Sequence, residues 1–244
     1  MPIKSELFDT FVKKTGKSRD TIVSQADASW IPVDRSKDEV QIVREYLTRK
    51  NAGVDYLNLH LGNLLQPEYE LKFASIFIHK KPIIQRDPSE VLLCNGDRPG
   101  CEMGDLCVVF CLMDVNKKPI YKSSVIIQAK LDDNLNSISQ RCLYDSDIKF
   151  HMPSNVLAIS INKNSLRVLP SYLEQRVNAL KYLILRTSPY PQLRTVPSTS
   201  GTYYDWGLLI GDMLTGFDGK PFDTPSVADC DWNMIMHDLF NIGS

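Results

Sequence analysis

The stretch Gly104-Asp105-Leu106-Cys107-Val108-Val109-Phe110-Cys111-Leu112-Met113, with its continuation Lys122-Ser123-Ser124-Val125-Ile126-Ile127-Gln128-Ala129-Lys130, decides the reading of this chain. Both segments are rich in Val, Ile, Leu, Phe and Cys, and the link from Asp114 to Tyr121 is polar. Two paired strands joined by a solvated loop have this pattern. Setting Met113 opposite Lys122 brings Asp105 opposite Lys130 at the far end. Side chains alternate across a strand, so Gln128 and Lys130 share a face, and opposed residues share one too. A carboxylate, an amide and an ammonium thereby meet at one end of an apolar hairpin. A slip of one residue would send Asp105 to the other face.

Asp105 followed by Gln128-Ala129-Lys130 resembles the D…(E/Q)xK active-site hairpin of the PD-(D/E)xK, or restriction-endonuclease-like, nuclease superfamily, with Gln in the Glu position. The resemblance covers residues 36–190. It implies an α/β fold with a central mixed β-sheet flanked by helices, and a catalytic set of Asp105, Gln128 and Lys130. It further implies Mg²⁺ or Mn²⁺ held by Asp105, Gln128 and the Ala129 carbonyl. Hard oxygen donors suit such an ion, and the ion activates water toward a phosphodiester. Lys130 would orient that water and offset phosphate charge. Gln in place of Glu removes one negative charge from the cation site, which also fits a degenerate, noncatalytic domain. The bland alternative is that Asp105 and Lys130 form a cross-strand ion pair of roughly 0.2–1 kcal/mol.

Working outward, the N-terminal side supplies one more acid. Residues 36–51 read as a helix: Ser36 and Glu39 match a capping box, and Val40, Val43 and Leu47 recur at helical spacing. Glu39 lies beside the apolar stripe and Glu45 points away from it. Helices before the core sheet of the superfamily often donate such an acid, so Glu39 is either a further metal ligand or the second half of the cap. Earlier still, residues 6–14 and 18–28 read as short helices of an N-terminal extension spanning 1–35. Between 54 and 100, Phe73 to His79 reads as strand or helix and Glu90 to Cys94 as a short strand. Lys80, Lys81, Arg86 and Arg98 are candidate phosphate contacts or plain solvated charges.

On the C-terminal side, residues 138–144 read as a short helix, and Ser139 to Tyr144 with Phe150 is similar to the segment after the QxK strand in defence-associated members of the superfamily. Asn155 to Ile161 reads as a buried strand. Pro170 to Leu185 reads as a helix, with Leu173, Val177, Leu180 and Ile184 at helical intervals. The proline-rich 188–201 reads as a loop. Two amphipathic helices follow within 191–244, one carrying Trp206, Leu209, Ile210, Met213, Leu214 and Phe217, the other Trp232, Ile235, Met236, Leu239 and Phe240. They either pack on the core or form a surface for a protein partner or a second copy.

Composition narrows the class. The 244 residues are 43% hydrophobic and 23% charged, as an ordinary folded domain is, with a net charge of -1. That balance supplies no global pull toward nucleic acid or an anionic membrane. No run approaches the roughly 18 apolar residues of a membrane span, and the N-terminus has no signal-peptide pattern, so a cytoplasmic protein with reduced thiols is expected. Cysteines 94, 101, 107 and 111 lack the paired spacing of zinc modules. The four histidines are scattered, and neither a GxSxG elbow nor a GxxxxGK[ST] phosphate loop occurs. The expected function is metal-dependent hydrolysis of nucleic acid, DNA first, in a bacterial antiphage setting. The alternative is a noncatalytic interaction subunit retaining the same fold.

Overall fold

A computed structural model describes residue 13 and residues 19–87, 100–157, 165–223 and 231–243. The chain is α/β, built on a seven-stranded mixed sheet with a four-stranded sheet beside it. The large sheet begins with β1 (Tyr69–Phe77), β4 (Leu106–Asp114) and β5 (Pro119–Lys130), all antiparallel neighbours. It continues through β8 (Leu180–Ile184), β9 (Gln192–Thr195) and β10 (Tyr203–Asp205). β8 runs parallel to β5 along Ile126 to Lys130, and β11 (Lys220–Pro221) pairs antiparallel with Ser123 and Ser124 of β5, on the edge away from β4 and before the β8 pairing begins. The sheet thus continues past residue 190. The smaller sheet has the order β3 (Gly100–Glu102), β2 (Ile83–Arg86), β6 (Lys149–His151) and β7 (Leu166–Val168).

The hairpin at 104–130 forms, in a register two residues from the expected one. Cys111, rather than Met113, lies opposite Lys122, and Leu106 lies opposite Ile127. The cause is a tight turn. The Asp114 carboxylate accepts from the backbone N–H groups of Asn116 and Lys118, at 2.9 and 2.8 Å, and Lys117 takes positive φ. Asx-type bonding of this kind closes a loop early, so β5 starts at Pro119 inside the stretch read as a connection. Because strands repeat every two residues, a slip of two preserves the faces. Asp105 therefore stays on the Gln128 side, but opposite Gln128 instead of Lys130.

Each face of the large sheet has its own core. On one face lie α1 (Arg19–Ala28), α2 (Glu39–Thr48), α3 (Gly53–Leu61) and α6 (Trp206–Thr215), packed on Leu106, Val108, Phe110, Val125 and Ile127. Trp30 stacks on Tyr46 at 3.9 Å between ring centroids, and Trp206 meets both rings edge-on at 5.5 and 5.3 Å. The other face, with Cys107, Val109 and Ile126, is covered by the small sheet, α4 (Ile138–Asp145) and α7 (Asp231–Gly243). Most of the apolar stripe of each C-terminal helix is therefore consumed in the core, Trp206 and Trp232 being essentially inaccessible, whereas Phe217 and Phe240 stay exposed.

Several local expectations change. Asp38, not Ser36, caps α2, its carboxylate accepting from Gln41 N at 2.9 Å, while Ser36 donates to Asp34. Only a single helical turn, α5 (Arg176–Ala179), forms within 170–185, and the chain then enters β8. All five residues of β8 are buried. A strand buried on both faces has this pattern, even Lys181 being buried with its ammonium 3.1 Å from Asp218, whereas Leu173, on the supposed helical stripe, is 98% exposed. Residues 155–156 lie in a turn and 157 in a bend; the rest of that expected strand lies outside the described residues, as do the strand at 90–94 and the helix at 6–14 apart from residue 13. Part of the proline-rich loop is β9. Cys101, Cys107 and Cys111 are free thiols, whereas Cys142 is disulfide-bonded, contrary to the expectation of uniformly reduced thiols. Among the described residues no helix is long and apolar enough to cross a membrane.

Two buried carboxylates tie the layers. Arg167 on β7 donates through Nε and Nη2 to Asp238 on α7, at 3.0 and 2.9 Å, both side chains fully buried. Removing one member of such a pair strands the other charge, so Asp238→Ala is expected to cost about 3–5 kcal/mol in chemical denaturation. Asp27 on α1 accepts from Gly207 N at 2.6 Å and so caps α6 from outside. A Cβ at Gly207 would sit 2.2 Å from Val23 O, so only glycine permits this helix approach.

Burial raises the Asp27 carboxyl from 3.8 to about 6, against the opposing Gly207 hydrogen bond. Because the folded pKa lies above the unfolded one, folding favours the protonated acid, and wild-type stability falls as pH rises from about 4 to 6. Asp27→Asn, which keeps the acceptor, is expected to remove that fall. It should be the more stable protein above pH 6, by roughly 1–3 kcal/mol, in denaturant titrations run at several pH values.

Candidate functional site

The two sheets meet beside Asp105. Leaving β1, the chain passes His79 and turns into β2 of the small sheet; leaving β3 at Glu102, it returns through Met103 and Gly104 into β4. Gly104 is required by contact. A Cβ there would stand 2.9 Å from both Ile126 Cγ2 and the Tyr144 hydroxyl, and 3.0 Å from Ile127 O. Tyr144, on α4, donates to Met103 O at 3.0 Å and holds this crossing from below. Asp105 N donates to Ile127 O at 2.9 Å, which lays the carboxylate against the end of β5.

Asp105 is 2% exposed and its carboxylate accepts from Ala129 N at 2.8 Å, from Gln128 Nε2 and from His79 Nδ1 at 2.7 Å. Gln128 is fully buried, and its Oε1 has no partner. A buried carbonyl oxygen without a donor is costly, so this amide offers an acceptor already desolvated and set beside a carboxylate. Ala129 N–H points to the β4 side, whereas Lys130 O accepts from Leu185 N on the β8 side. The alternation of a β ladder turns the Ala129 carbonyl to the β4 side too.

Lys130 does not pair with Asp105. Its ammonium lies 3.5 Å from Glu39 Oε1, at the first turn of α2, with both side chains about four-fifths buried. The cross-strand Asp105–Lys130 pair is therefore not what the hairpin encodes. With Asp38 as the cap, Glu39 is free to face the site. Glu45, by contrast, lies in a surface cluster with Lys37 and Arg49. Burial raises the Glu39 carboxyl, Lys130 opposing and the Asp105 charge adding to the rise.

Sequence reasoning misses two members. His79 Nδ1 lies 3.5 Å from Glu102 Oε2, and one donor atom from each of His79, Glu102 and Asp105 falls within 4.8 Å of the others. Among the described residues this is the one cluster with metal-ligand geometry. His79 is held above its ordinary pKa by the Asp105 hydrogen bond, and Glu102 is raised by burial. His79 is legible in principle: Phe77 pairs with Leu106, so extending that ladder carries His79 past Asp105. Glu102 gives no signal, because it precedes β4 in a stretch that reads as loop. Of the basic candidates, Lys80 and Lys81 are exposed beside the site, Arg86 is 2% exposed and shielded from any substrate, and Arg98 lies outside the described residues.

The donors fit a divalent cation: two carboxylates and an imidazole converge at one strand end, against the buried Gln128 amide whose oxygen lacks a donor. No protein-family model, no curated protein and no solved structure matches the chain. The site's own geometry therefore carries the functional reading.

That geometry predicts unequal tolerance. Asp105→Ala strands the Ala129 N–H and the Gln128 amide in the interior and is expected to cost about 2–4 kcal/mol. Lys130→Ala removes half of a largely buried pair, but Glu39, already raised by burial, can take up a proton in its place, so the cost should be smaller, about 1–2 kcal/mol. Paired urea titrations of the two variants check the ranking.

Proposed function

We propose that this protein is a metal-dependent nuclease that hydrolyses phosphodiester bonds, with DNA as the first substrate to try. One observation carries the reading: Asp105, the unpartnered Gln128 amide oxygen and the Glu39–Lys130 pair stand at the same end of the β4–β5 hairpin. These are the residues on which the resemblance to the PD-(D/E)xK superfamily rests. Asp105, Gln128, the Ala129 carbonyl and Glu39 are the residues to hold Mg²⁺ or Mn²⁺, with His79 and Glu102 adjoining. Such an ion, once bound, acidifies water and offsets phosphate charge.

The chain's own groups do the rest. Asp105 is fixed by the donors around it, so its free lone pairs keep one direction. Lys130, steadied by Glu39, orients the attacking water and balances the charge that builds on the phosphate. The water oxygen bonds to phosphorus as the P–O bond to the leaving oxygen breaks, and that oxygen takes up a proton. Exposed Lys80 and Lys81 lie on the approach and suit nonbridging phosphate oxygens. By the same resemblance the setting is cytoplasmic antiphage defence, under control of a partner or of self-association.

Gln128 favours a second reading, a noncatalytic assembly subunit, since a neutral amide weakens attraction for a cation. The C-terminal helices offer that reading little, because their apolar faces are packed within the core.

Plasmid and single-stranded DNA, incubated with Mg²⁺ or Mn²⁺, decide between the two. Wild type is expected to cleave at least one substrate, and Lys130→Ala to cleave it about a hundredfold or more slowly while remaining folded. Wild-type inertness with both ions, or an unimpaired Lys130→Ala protein, would overturn the nuclease reading.

A further inference from the structure

We propose that the cation site beside Asp105 is a nitrogen-containing transition-metal site that takes Mn²⁺ in preference to Mg²⁺, with His79 as the selecting ligand and Glu102 completing it. The inference deepens the nuclease reading by naming the metal class of that site, and it rests on the same Asp105 and Gln128.

Three observations carry it. His79 Nδ1 lies 2.7 Å from Asp105 Oδ1 and 3.5 Å from Glu102 Oε2, so an imidazole nitrogen sits among the carboxylate oxygens; it would release the proton it now shares with Asp105 when the ion binds. The ring is largely buried and its Nε2 has no partner, so no competing acceptor or donor holds the ring by that end. The fully buried Gln128, whose Oε1 also lacks a partner, adjoins the same carboxylate through its Nε2. Such an oxygen is a lone-pair donor without a partner, on an amide held by the cluster's own carboxylate.

The selectivity follows from ligand chemistry. Mg²⁺ requires hard oxygen donors in near-ideal octahedral geometry and parts reluctantly with its waters. An imidazole among its ligands is a poor exchange for water. Mn²⁺ tolerates mixed nitrogen and oxygen sets and irregular geometry, and affinity for such sites rises further along the first-row series toward Zn²⁺. The replacement of Glu by Gln acts in the same direction. It removes a charge that Mg²⁺ depends on, while His79 supplies a ligand that only the transition metal uses well.

The test measures binding without nucleic acid. Isothermal titration of the full-length protein with MnCl₂ and MgCl₂ is expected to show Mn²⁺ bound at least about tenfold more tightly. In His79→Ala, Mn²⁺ affinity should fall by about ten- to a hundredfold while Mg²⁺ affinity changes far less, so the preference collapses. Pulsed electron paramagnetic resonance of the Mn²⁺ complex should show coupling to an imidazole ¹⁴N, absent in His79→Ala. Glu102→Gln should weaken Mn²⁺ and keep the nitrogen coupling, which separates loss of a ligand from loss of the fold. Equal affinity for the two ions in wild type, or a Mn²⁺ complex without nitrogen coupling, would overturn the proposal. A nitrogen-coupled Mn²⁺ complex that cleaves nothing would sink the nuclease reading and leave the metal assignment standing. Mg²⁺-supported cleavage without nitrogen coupling would do the reverse.

Discussion

A single buried carboxylate organises this molecule. Asp105 sits where β4 begins, where β5 ends and where the chain passes between two sheets, and it is satisfied by a backbone amide, a side-chain amide and an imidazole from separate segments. A desolvated charge is tolerable only with such donors in place. The requirement reaches outward from there. Gly104 must be glycine for Asp105 to lie against β5, and Tyr144 must reach Met103 for the crossing to hold. His79 must follow β1 at the right height, which the β1–β4 register provides.

The site's charges are arranged by division. The hairpin alone suggests that Lys130 neutralises Asp105, yet Lys130 is engaged by Glu39 from the opposite layer. Asp105 is thus held by hydrogen-bond donors from three separate segments rather than by the Lys130 ammonium. Glu102, raised by burial, adds a second acid nearby. A carboxylate cluster with an imidazole, left outside the Glu39–Lys130 pair, has an electrostatic use for a cation, whereas a closed ion pair would not. This distinction separates a functional cluster from a structural one such as Arg167–Asp238, where both charges are cancelled and buried.

Much of this is legible in the sequence, and the failures have physical causes. The apolar hairpin and its polar end can be read because strand periodicity puts Asp105, Gln128 and Lys130 on one side regardless of an even slip. The exact pairing cannot, since it hangs on an Asx turn at Asp114 that composition does not announce. The region before Leu185 misleads because Leu173, Val177, Leu180 and Ile184 match a helical period by accident, while the decisive signal is the unbroken burial of Leu180 to Ile184. Glu39 is found through its helix face. His79 and Glu102 escape because they are brought in by strand pairing across long separations, which no local pattern records.

The path of the chain through the small sheet sets the character of the whole. β2 and β3 are an excursion between β1 and β4, and β6 and β7 are an excursion between β5 and β8. No continuous segment owns that sheet. It cannot be excised, exchanged or inherited as a module, because its two halves enter from separate points on the large sheet. What looks in cross-section like two layers is, along the chain, one interlaced object, so recombination would have to preserve it entire.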